Sequence, residues 1–87
     1  IGSNVETLYK IKKDKAEALE FYVNEGSKLV GIPLEKLKLK DNLIICSIKR
    51  KGEIITPNGQ DCIKKGDYVI VVTTNIGLQD LSDILRS

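Results

Sequence analysis

Few side chains in this sequence could perform covalent or acid–base chemistry. The chain has no histidine and two cysteines, Cys46 and Cys62, so neither a Ser–His nor a Cys–His pair can form. Asp61 and Asp67 flank a turn-rich segment, where carboxylates usually accept hydrogen bonds from nearby backbone amides. The glycines form neither G-x-G-x-x-G nor a phosphate-binding loop. The sequence therefore predicts a binding or assembly protein and not an enzyme.

The two cysteines do not indicate a metal site. Two isolated thiols without histidine are too few for zinc, which usually takes four protein or water ligands. Cys46 stands among the aliphatic residues of a predicted strand, so we expect a small buried side chain there. Because no secretory signal is visible, we expect both thiols to be reduced, as they are in the cytosol.

The composition is that of one globular domain. The chain has 87 residues, of which 41% are hydrophobic and 30% charged, enough for one modest core. Fourteen basic and 12 acidic residues leave a net charge of +2, without the clustered basic footprint that nucleic-acid binding usually requires. The densest basic run, residues 36–42, suits a solvated helix end. Because the sequence contains no methionine, we expect the chain to be one domain of a longer protein.

The pattern along the chain predicts an α+β domain. Alternating, β-branched and aromatic residues predict strands over residues 4–11, 16–23, 43–50, 53–57 and 68–74. Pro33 and the leucines after it predict a short helix over residues 34–39, and an apolar stripe predicts a second helix over residues 75–87. A helix is the alternative for residues 16–23, since Ala, Glu and Leu favour one. The expected fold is a small, mostly antiparallel sheet with two helices, in the order β-β-α-β-β-β-α.

Two of the strands lack charge over most of their length. "LIICSI", residues 43–48, and "YVIVV", residues 68–72, carry aliphatic residues at both alternating positions, which predicts burial on both faces. The loop between Pro57 and the last strand is expected to be structural. Gly59 and Gly66 would allow backbone angles that other residues resist, and two lysines would keep the turn solvated.

The ordered set of segments resembles the C-terminal domain of regulator-of-potassium-conductance proteins. The segments are "AEALEFYV", "SKLVGIPL", a strand that ends in "IKRKG", and "IITPNGQDCIKKGDYVIVV". "NVETLYKI" is similar to the stretch that enters this domain in regulatory subunits of Trk potassium-uptake systems. The resemblance covers nearly the whole chain, and the order of the segments carries it, since no single dipeptide is specific.

The resemblance implies a cytoplasmic regulatory domain that forms a homodimer and controls a membrane-embedded potassium transporter subunit at the inner face of the membrane. It also implies an upstream Rossmann-type domain that would hold NAD or ATP, while this domain itself holds no cofactor. The alternatives are the same module on an anion symporter or a cation/proton antiporter and, from another class of protein, a small RNA-binding domain.

In some relatives of this kind, cyclic di-AMP binds between two copies, and the resemblance carries that site onto Leu34, Lys40, Asn42, Leu43 and Pro57. The aliphatic side chains and the proline would flank the adenine faces, the amide would read a base edge, and the lysine would meet phosphate. The binders usually have arginine where this chain has Lys40, so a bidentate phosphate contact is lost, and the segment between helix and strand is shorter here. The alternative is structural: the apolar members pack in a core or interface, and Asn42 caps a turn.

Overall fold

The fold is built on one antiparallel sheet. The structure is a computed structural model that describes residues 5–11 and 15–86. Its strands are β1 (Val5–Ile11), β2 (Ala16–Tyr22), β3 (Leu43–Arg50), β4 (Glu53–Ile55) and β5 (Tyr68–Thr73). The strands lie in the order β1-β2-β5-β3-β4, so β5 is central. All five predicted strands are confirmed, and the helical alternative for residues 16–23 is excluded. The predicted turn over residues 12–15 lies largely outside the described residues.

The two predicted helices are wrong within the described residues. A single 3-10 turn at Leu34–Lys36 replaces the first, and another at Leu81–Ile84 replaces the second. Both turns end because the chain after each becomes extended and the two extended segments pair. The pairing is an antiparallel bridge between Leu39 and Leu85, and the N–H of Lys40 donates to the Ile84 carbonyl at 2.8 Å. The residues that would continue each helix are therefore held in this pairing between two distant segments.

The hydrophobic core lies between one face of the sheet and the irregular segments. The fully or nearly buried apolar residues are Leu19, Phe21, Val23, Leu29, Ile48, Ile63, Val69, Val71, Leu78, Leu81 and Ile84. The alternation that predicted one shared face for Leu19, Phe21 and Val23 is therefore confirmed. The apolar stripe of the C-terminal segment enters the same core, although it does so from a 3-10 turn and its flanks.

The opposite face of the sheet, which we call the outward face, has no such cover from the described segments. Its side chains come from alternate positions of all five strands: Thr7, Tyr9, Ile11, Ala16, Ala18, Glu20, Tyr22, Ile44, Ser47, Lys49, Ile54, Tyr68, Ile70 and Val72. Ile44 is 64% exposed, so the prediction that the start of β3 is buried on both faces is wrong. In β5 the outward-facing Tyr68, Ile70 and Val72 are half-buried, so the predicted burial of that strand is complete on the core face alone. Charge-free strands here reflect an uncovered apolar surface and not double burial.

Cys46 also departs from its prediction, because its side chain is exposed. The pairing of β3 with β5 shifts register between Ile45 and Ser47, which places Cys46 in a β-bulge. An extra residue in a bulge has no partner across the ladder and is turned away from the regular alternation. The thiol is therefore exposed although aliphatic residues flank it in the sequence.

The turn before β5 is held by the buried carboxylate of Asp67, which is 1% exposed. Its Oδ1 accepts a hydrogen bond from Arg50 Nε at 2.9 Å, and its Oδ2 accepts from Arg50 Nη2 and from the Lys64 N–H, both at 2.8 Å. Arg50 Nη2 also donates to the Cys62 carbonyl at 2.9 Å. The Asp67 carbonyl accepts from the Val23 N–H at 2.9 Å. One residue thus ties the ends of β2 and β3 to the turn that starts β5, and its hydrogen bond raises the pKa of Arg50 above the ordinary value.

The expected structural role of the loop is confirmed for Asp67, described above, and for Asp61 and Gly66. The Asn58 N–H donates to Asp61 Oδ2 at 2.8 Å, and Gly66 has a φ of 87°, which favours glycine. Gly59 acts differently from the prediction. Its φ is not in the left-handed region, but a Cβ there would lie 2.8 Å from Glu35 Oε1. Gly59 therefore permits the close approach of the loop to the first 3-10 turn.

We expect Asp67→Ala to lower the free energy of unfolding by about 3 kcal/mol, because it leaves the Arg50 guanidinium without its ionic partner in a largely buried site. Urea denaturation of the two proteins measures the change. Asp41→Ala is the matched control. Asp41 also pairs with an arginine, Arg86, but these side chains are 91% and 65% exposed, so the expected loss is less than about 1 kcal/mol. Equal losses for the two variants would contradict the role of Asp67.

Stability should also depend on pH through Asp83. Its Oδ2 accepts hydrogen bonds from the N–H groups of Gln79 and Asp80 at 2.9 and 3.0 Å, which hold the pKa of this carboxyl below its ordinary value of 3.8. A lowered folded-state pKa gives stabilisation that is present above the unfolded pKa and is lost as pH falls through the folded pKa. Asp83→Asn should therefore be less stable than the natural protein at about pH 6, and the difference should shrink towards about pH 2. Thermal unfolding across this range tests it, and a difference that stays constant would contradict it.

Candidate functional site

The amide of Asn42 stands at the entrance to β3 in a left-handed turn. Its φ is 57°, a conformation that asparagine tolerates better than most residues. The Asn42 carbonyl accepts hydrogen bonds from Thr73 Oγ1 at 2.8 Å and from the Thr74 N–H at 3.1 Å. These bonds join the start of β3 to the end of β5. The backbone of Asn42 therefore closes the turn, as the structural alternative predicted, while its side chain stays exposed.

A surface groove of about 250 Å³ lies beside this turn. It is lined by Ala16, Asn42, Leu43, Ile44, Val72, Thr73 and Thr74. The lining is apolar except for two hydroxyls and the amide, and it contains no titratable side chain. Such a surface can hold a flat, weakly polar group and hydrogen-bond its edge, but it offers neither a nucleophile activated by a base nor a general acid. The groove is suited to binding.

Of the five residues predicted to bind a ligand, Asn42 and Leu43 line this groove and the other three do not. Leu34 packs against the core, and its N–H donates to the Asp61 carbonyl at 2.9 Å. Pro57 is half-buried in the loop that follows β4. Whether any of the five contacts a ligand stays a prediction.

Lys40 is engaged with the C-terminal segment. Its Nζ donates a hydrogen bond to the Asp83 carbonyl, and its own N–H pairs with the Ile84 carbonyl. Next to it, Asn75 Nδ2 donates to the Asp41 carbonyl at 2.8 Å. The short segment between the first 3-10 turn and β3 is therefore in contact with the last residues of the chain. A cation at this position would have to exchange a carbonyl partner for phosphate.

Sequence reasoning missed that the outward face is left uncovered by the described segments. All three tyrosines of the chain, Tyr9, Tyr22 and Tyr68, lie on it, and the rings of Tyr22 and Tyr68 lie 5.1 Å apart. The available signal is the apolar residues at both alternating positions of β3 and β5. This pattern predicts burial on both faces of a strand, but an uncovered sheet face produces it equally well.

Two further observations limit the chemistry of the described residues. Within residues 5–11 and 15–86, no group of three or more His, Cys, Asp or Glu side chains is placed to hold a metal ion. In the same ranges, no helix has the length and apolar character needed to cross a membrane.

Comparison with known proteins gives one family and a consistent set of relatives. The family model of the TrkA-C domain matches residues 18–86. A Trk system potassium uptake protein TrkA homolog of Pyrococcus abyssi is 37% identical over 77 residues, which are 87% of this chain and 34% of that protein. The TrkA homolog 2 of Methanosarcina mazei is 29% identical over 86 residues, 99% of this chain and 19% of that protein.

A second kind of relative is named as a transporter. The K(+)/H(+) antiporter NhaP2 of a Shewanella strain is 26% identical over 68 residues, 78% of this chain and 12% of that protein. The chain thus spans between 12% and 34% of the length of each of these three relatives. The match to residues 18–86, with the order of segments noted in the sequence, shows that this protein belongs to the TrkA-C domain family.

Proposed function

We propose that this domain is the regulatory and dimer-forming module of a potassium-uptake system and that it controls a membrane-embedded potassium transporter from the cytoplasmic side. The observation that carries the proposal is the TrkA-C match over residues 18–86, together with relatives named as Trk system potassium uptake proteins. The uncharged groove supports control by binding over catalysis. In this function the domain changes the transporter only by favouring one arrangement of the assembly over another.

The contacts around the groove suggest how binding there would be transmitted. Asn42 joins β3 to β5, and the two residues before it touch the C-terminal segment through Lys40 with Asp83 and through Asp41 with Asn75. A ligand that contacts Asn42 therefore lies beside Lys40 and Asp41, whose hydrogen-bond partners are in the C-terminal segment. Asp67 fixes the opposite end of β5. We therefore expect ligand binding to shift the Asn42 turn while the rest of the sheet stays in place.

We further propose that the ligand is a purine dinucleotide of the cyclic di-AMP type, bound where two copies meet. Ile44 offers apolar contact to an adenine face, while Leu43 lines the groove and packs against the core behind it. The exposed Asn42 amide can donate to and accept from the edge of the base. The groove of about 250 Å³ is small for a whole dinucleotide, so each copy would hold one base. Lys40 would meet phosphate only by leaving the Asp83 carbonyl.

Isothermal titration of the chain with cyclic di-AMP should give one ligand per dimer. Asn42→Gly should weaken binding at least about tenfold, because it removes the base-reading amide while glycine keeps the left-handed turn at no cost. Lys51→Gly is the matched control, since Lys51 has a similar φ of 50° in the turn between β3 and β4. The control should bind as the natural sequence does. The absence of heat at high micromolar ligand would refute the nucleotide proposal and leave the transport role standing.

A second candidate function is the same module within a potassium/proton antiporter. The observation that favours it is the 26% identity with the Shewanella antiporter over 78% of this chain. The domain would then use the same groove and surfaces to control proton-coupled potassium movement. Identity with the Trk relatives is higher, at 37% for the Pyrococcus protein, so we place potassium uptake first.

A chimera tests the transport role directly. Residues 18–86 replace the matched segment of the Pyrococcus abyssi protein, and the chimera is produced with its transporter in cells that lack potassium uptake. We expect rubidium uptake and growth at low potassium to be restored relative to a version without the segment. The chimera carrying Asp67→Ala, which destabilises the domain, should restore less. A folded chimera that leaves uptake at the level of the deletion would contradict the proposal.

A further inference from the structure

The two edges of the sheet differ in how well they are protected from a further strand. The edge strand β4 has three residues and Pro57 follows soon after it, and short edge strands and proline are two ways in which proteins prevent edge pairing. The other edge strand, β1, has seven residues without proline, and no described segment pairs with its outer edge. Its pairing with β2 is regular from Thr7 to Ile11. The backbone of these residues can therefore accept an added strand.

A hollow lies beside β1 on each face of the sheet. The hollow on the outward face, of about 270 Å³, is lined by Thr7, Tyr9, Ala18, Leu19, Glu20 and Ile70. The hollow on the core side, of about 420 Å³, is lined by Val5, Leu8, Gly77, Leu78 and Gln79. Successive side chains of a strand point to opposite faces. A segment that pairs with β1 therefore directs neighbouring side chains towards the two hollows.

The linings of the two hollows define the side chains that fit them. The core-side hollow offers aliphatic groups and a neutral amide, so it suits an aliphatic side chain. The outward hollow contains one carboxylate, that of Glu20, which accepts a hydrogen bond from Thr7 Oγ1 at 3.4 Å and retains further lone pairs. Lysine or arginine can lay its apolar stem on Ile70 while its charged head meets Glu20, and the Tyr9 ring attracts the same cation.

The core-side hollow also connects β1 to the C-terminal segment. Gly77, Leu78 and Gln79 form one of its walls, and the Gly77 N–H donates to Oε1 of the buried Glu17 at 3.3 Å. Asn75, just before this wall, donates to the Asp41 carbonyl beside the groove at Asn42. A strand bound at β1 therefore contacts the same segment that reaches the groove.

We propose that β1 binds, by strand addition, an extended basic segment of the membrane-embedded partner. A lysine or arginine of that segment occupies the outward hollow, and an adjacent aliphatic residue occupies the core-side hollow. The inference rests on the proposed function and adds to it a surface and the chemistry of the partner. Cytoplasmic loops of membrane proteins carry an excess of lysine and arginine, so a module that acts from the cytoplasmic side meets segments of this charge.

Fluorescence polarisation of a labelled, capped octapeptide tests the proposal with the 87-residue chain. The probe is Thr-Thr-Thr-Arg-Val-Thr-Thr-Thr, in which threonine favours an extended strand and only the central pair addresses the hollows. We expect saturable binding with a submillimolar Kd. A peptide with glutamate in place of arginine should bind at least about tenfold more weakly, because like charges then meet at Glu20.

Charge reversal in the protein tests the assignment of the outward hollow. Glu20→Lys should invert the preference, so that the glutamate peptide binds more tightly than the arginine peptide. A loss of folding does not produce such an inversion. Leu8→Asp should weaken both peptides at least about tenfold, because it places a charge in the wall of the core-side hollow. The matched control is Ile54→Asp on the other edge strand, where the side chain is 67% exposed and peptide binding should be unchanged.

Amide hydrogen exchange measured by NMR tests strand addition itself. The arginine peptide should slow the exchange of amides in residues 7–11 that point away from β2, because they gain a backbone acceptor, and should leave the amides of β4 unchanged. Circular dichroism confirms that each variant folds.

Four results would overturn the proposal. The absence of binding at millimolar arginine peptide would exclude strand addition at β1, and an unchanged preference in Glu20→Lys would exclude the basic side chain from the outward hollow. Protection outside β1 would place the peptide elsewhere. Protection of the β1 edge without peptide, together with a dimeric mass, would make a second copy the occupant. The chimera experiment uses residues 18–86, which do not include β1, so it tests the transport role separately.

Discussion

The carboxylate of Asp67 is the constraint on which the rest of the structure depends. It is buried, and its ionic partner Arg50 and the Lys64 amide satisfy both of its oxygens. Because β5 begins at the next residue and is the central strand, the position of Asp67 sets where that strand enters the sheet. The same residue also binds the backbone at the end of β2. A buried carboxylate is unfavourable without partners, so this geometry is tolerated only when all three strands are in place.

The opposite end of the sheet is organised by pairing between segments that are far apart in sequence. The bridge between Leu39 and Leu85 brings the last residues of the domain beside the entrance to β3. This contact makes the Asn42 corner a junction of β3, β5 and the C-terminal segment. The hydrogen bonds of Lys40 and of the Asp41 carbonyl thus connect the groove directly to the C-terminal segment.

The two faces of the sheet differ in how much of their apolar surface is buried. The core face and the irregular segments packed on it bury eleven apolar side chains within the described residues. The outward face adds less to the stability of a single copy, because Tyr9, Ile44 and Ile54 remain more than half exposed. Buried and exposed apolar side chains thus lie on opposite sides of one sheet.

The sequence by itself determined the five strands, the turn chemistry of Asp61 and Asp67, and the family, because each depends on residues that are neighbours in the chain. Period-two alternation and turn residues are local signals, and the order of segments is visible without coordinates. Only the tertiary structure decided that the predicted helices are reduced to 3-10 turns at Leu34–Lys36 and Leu81–Ile84, since the extended residues after each turn bond to the other segment, which is distant in sequence. It also decided that the Cys46 thiol is exposed, because the described segments leave the side of the sheet that carries Ile44 uncovered and the bulge gives Cys46 no partner across the ladder. Which face of β3 and β5 remains uncovered follows from where the loops pack, and an apolar pattern is the same whether another segment or a second copy covers it.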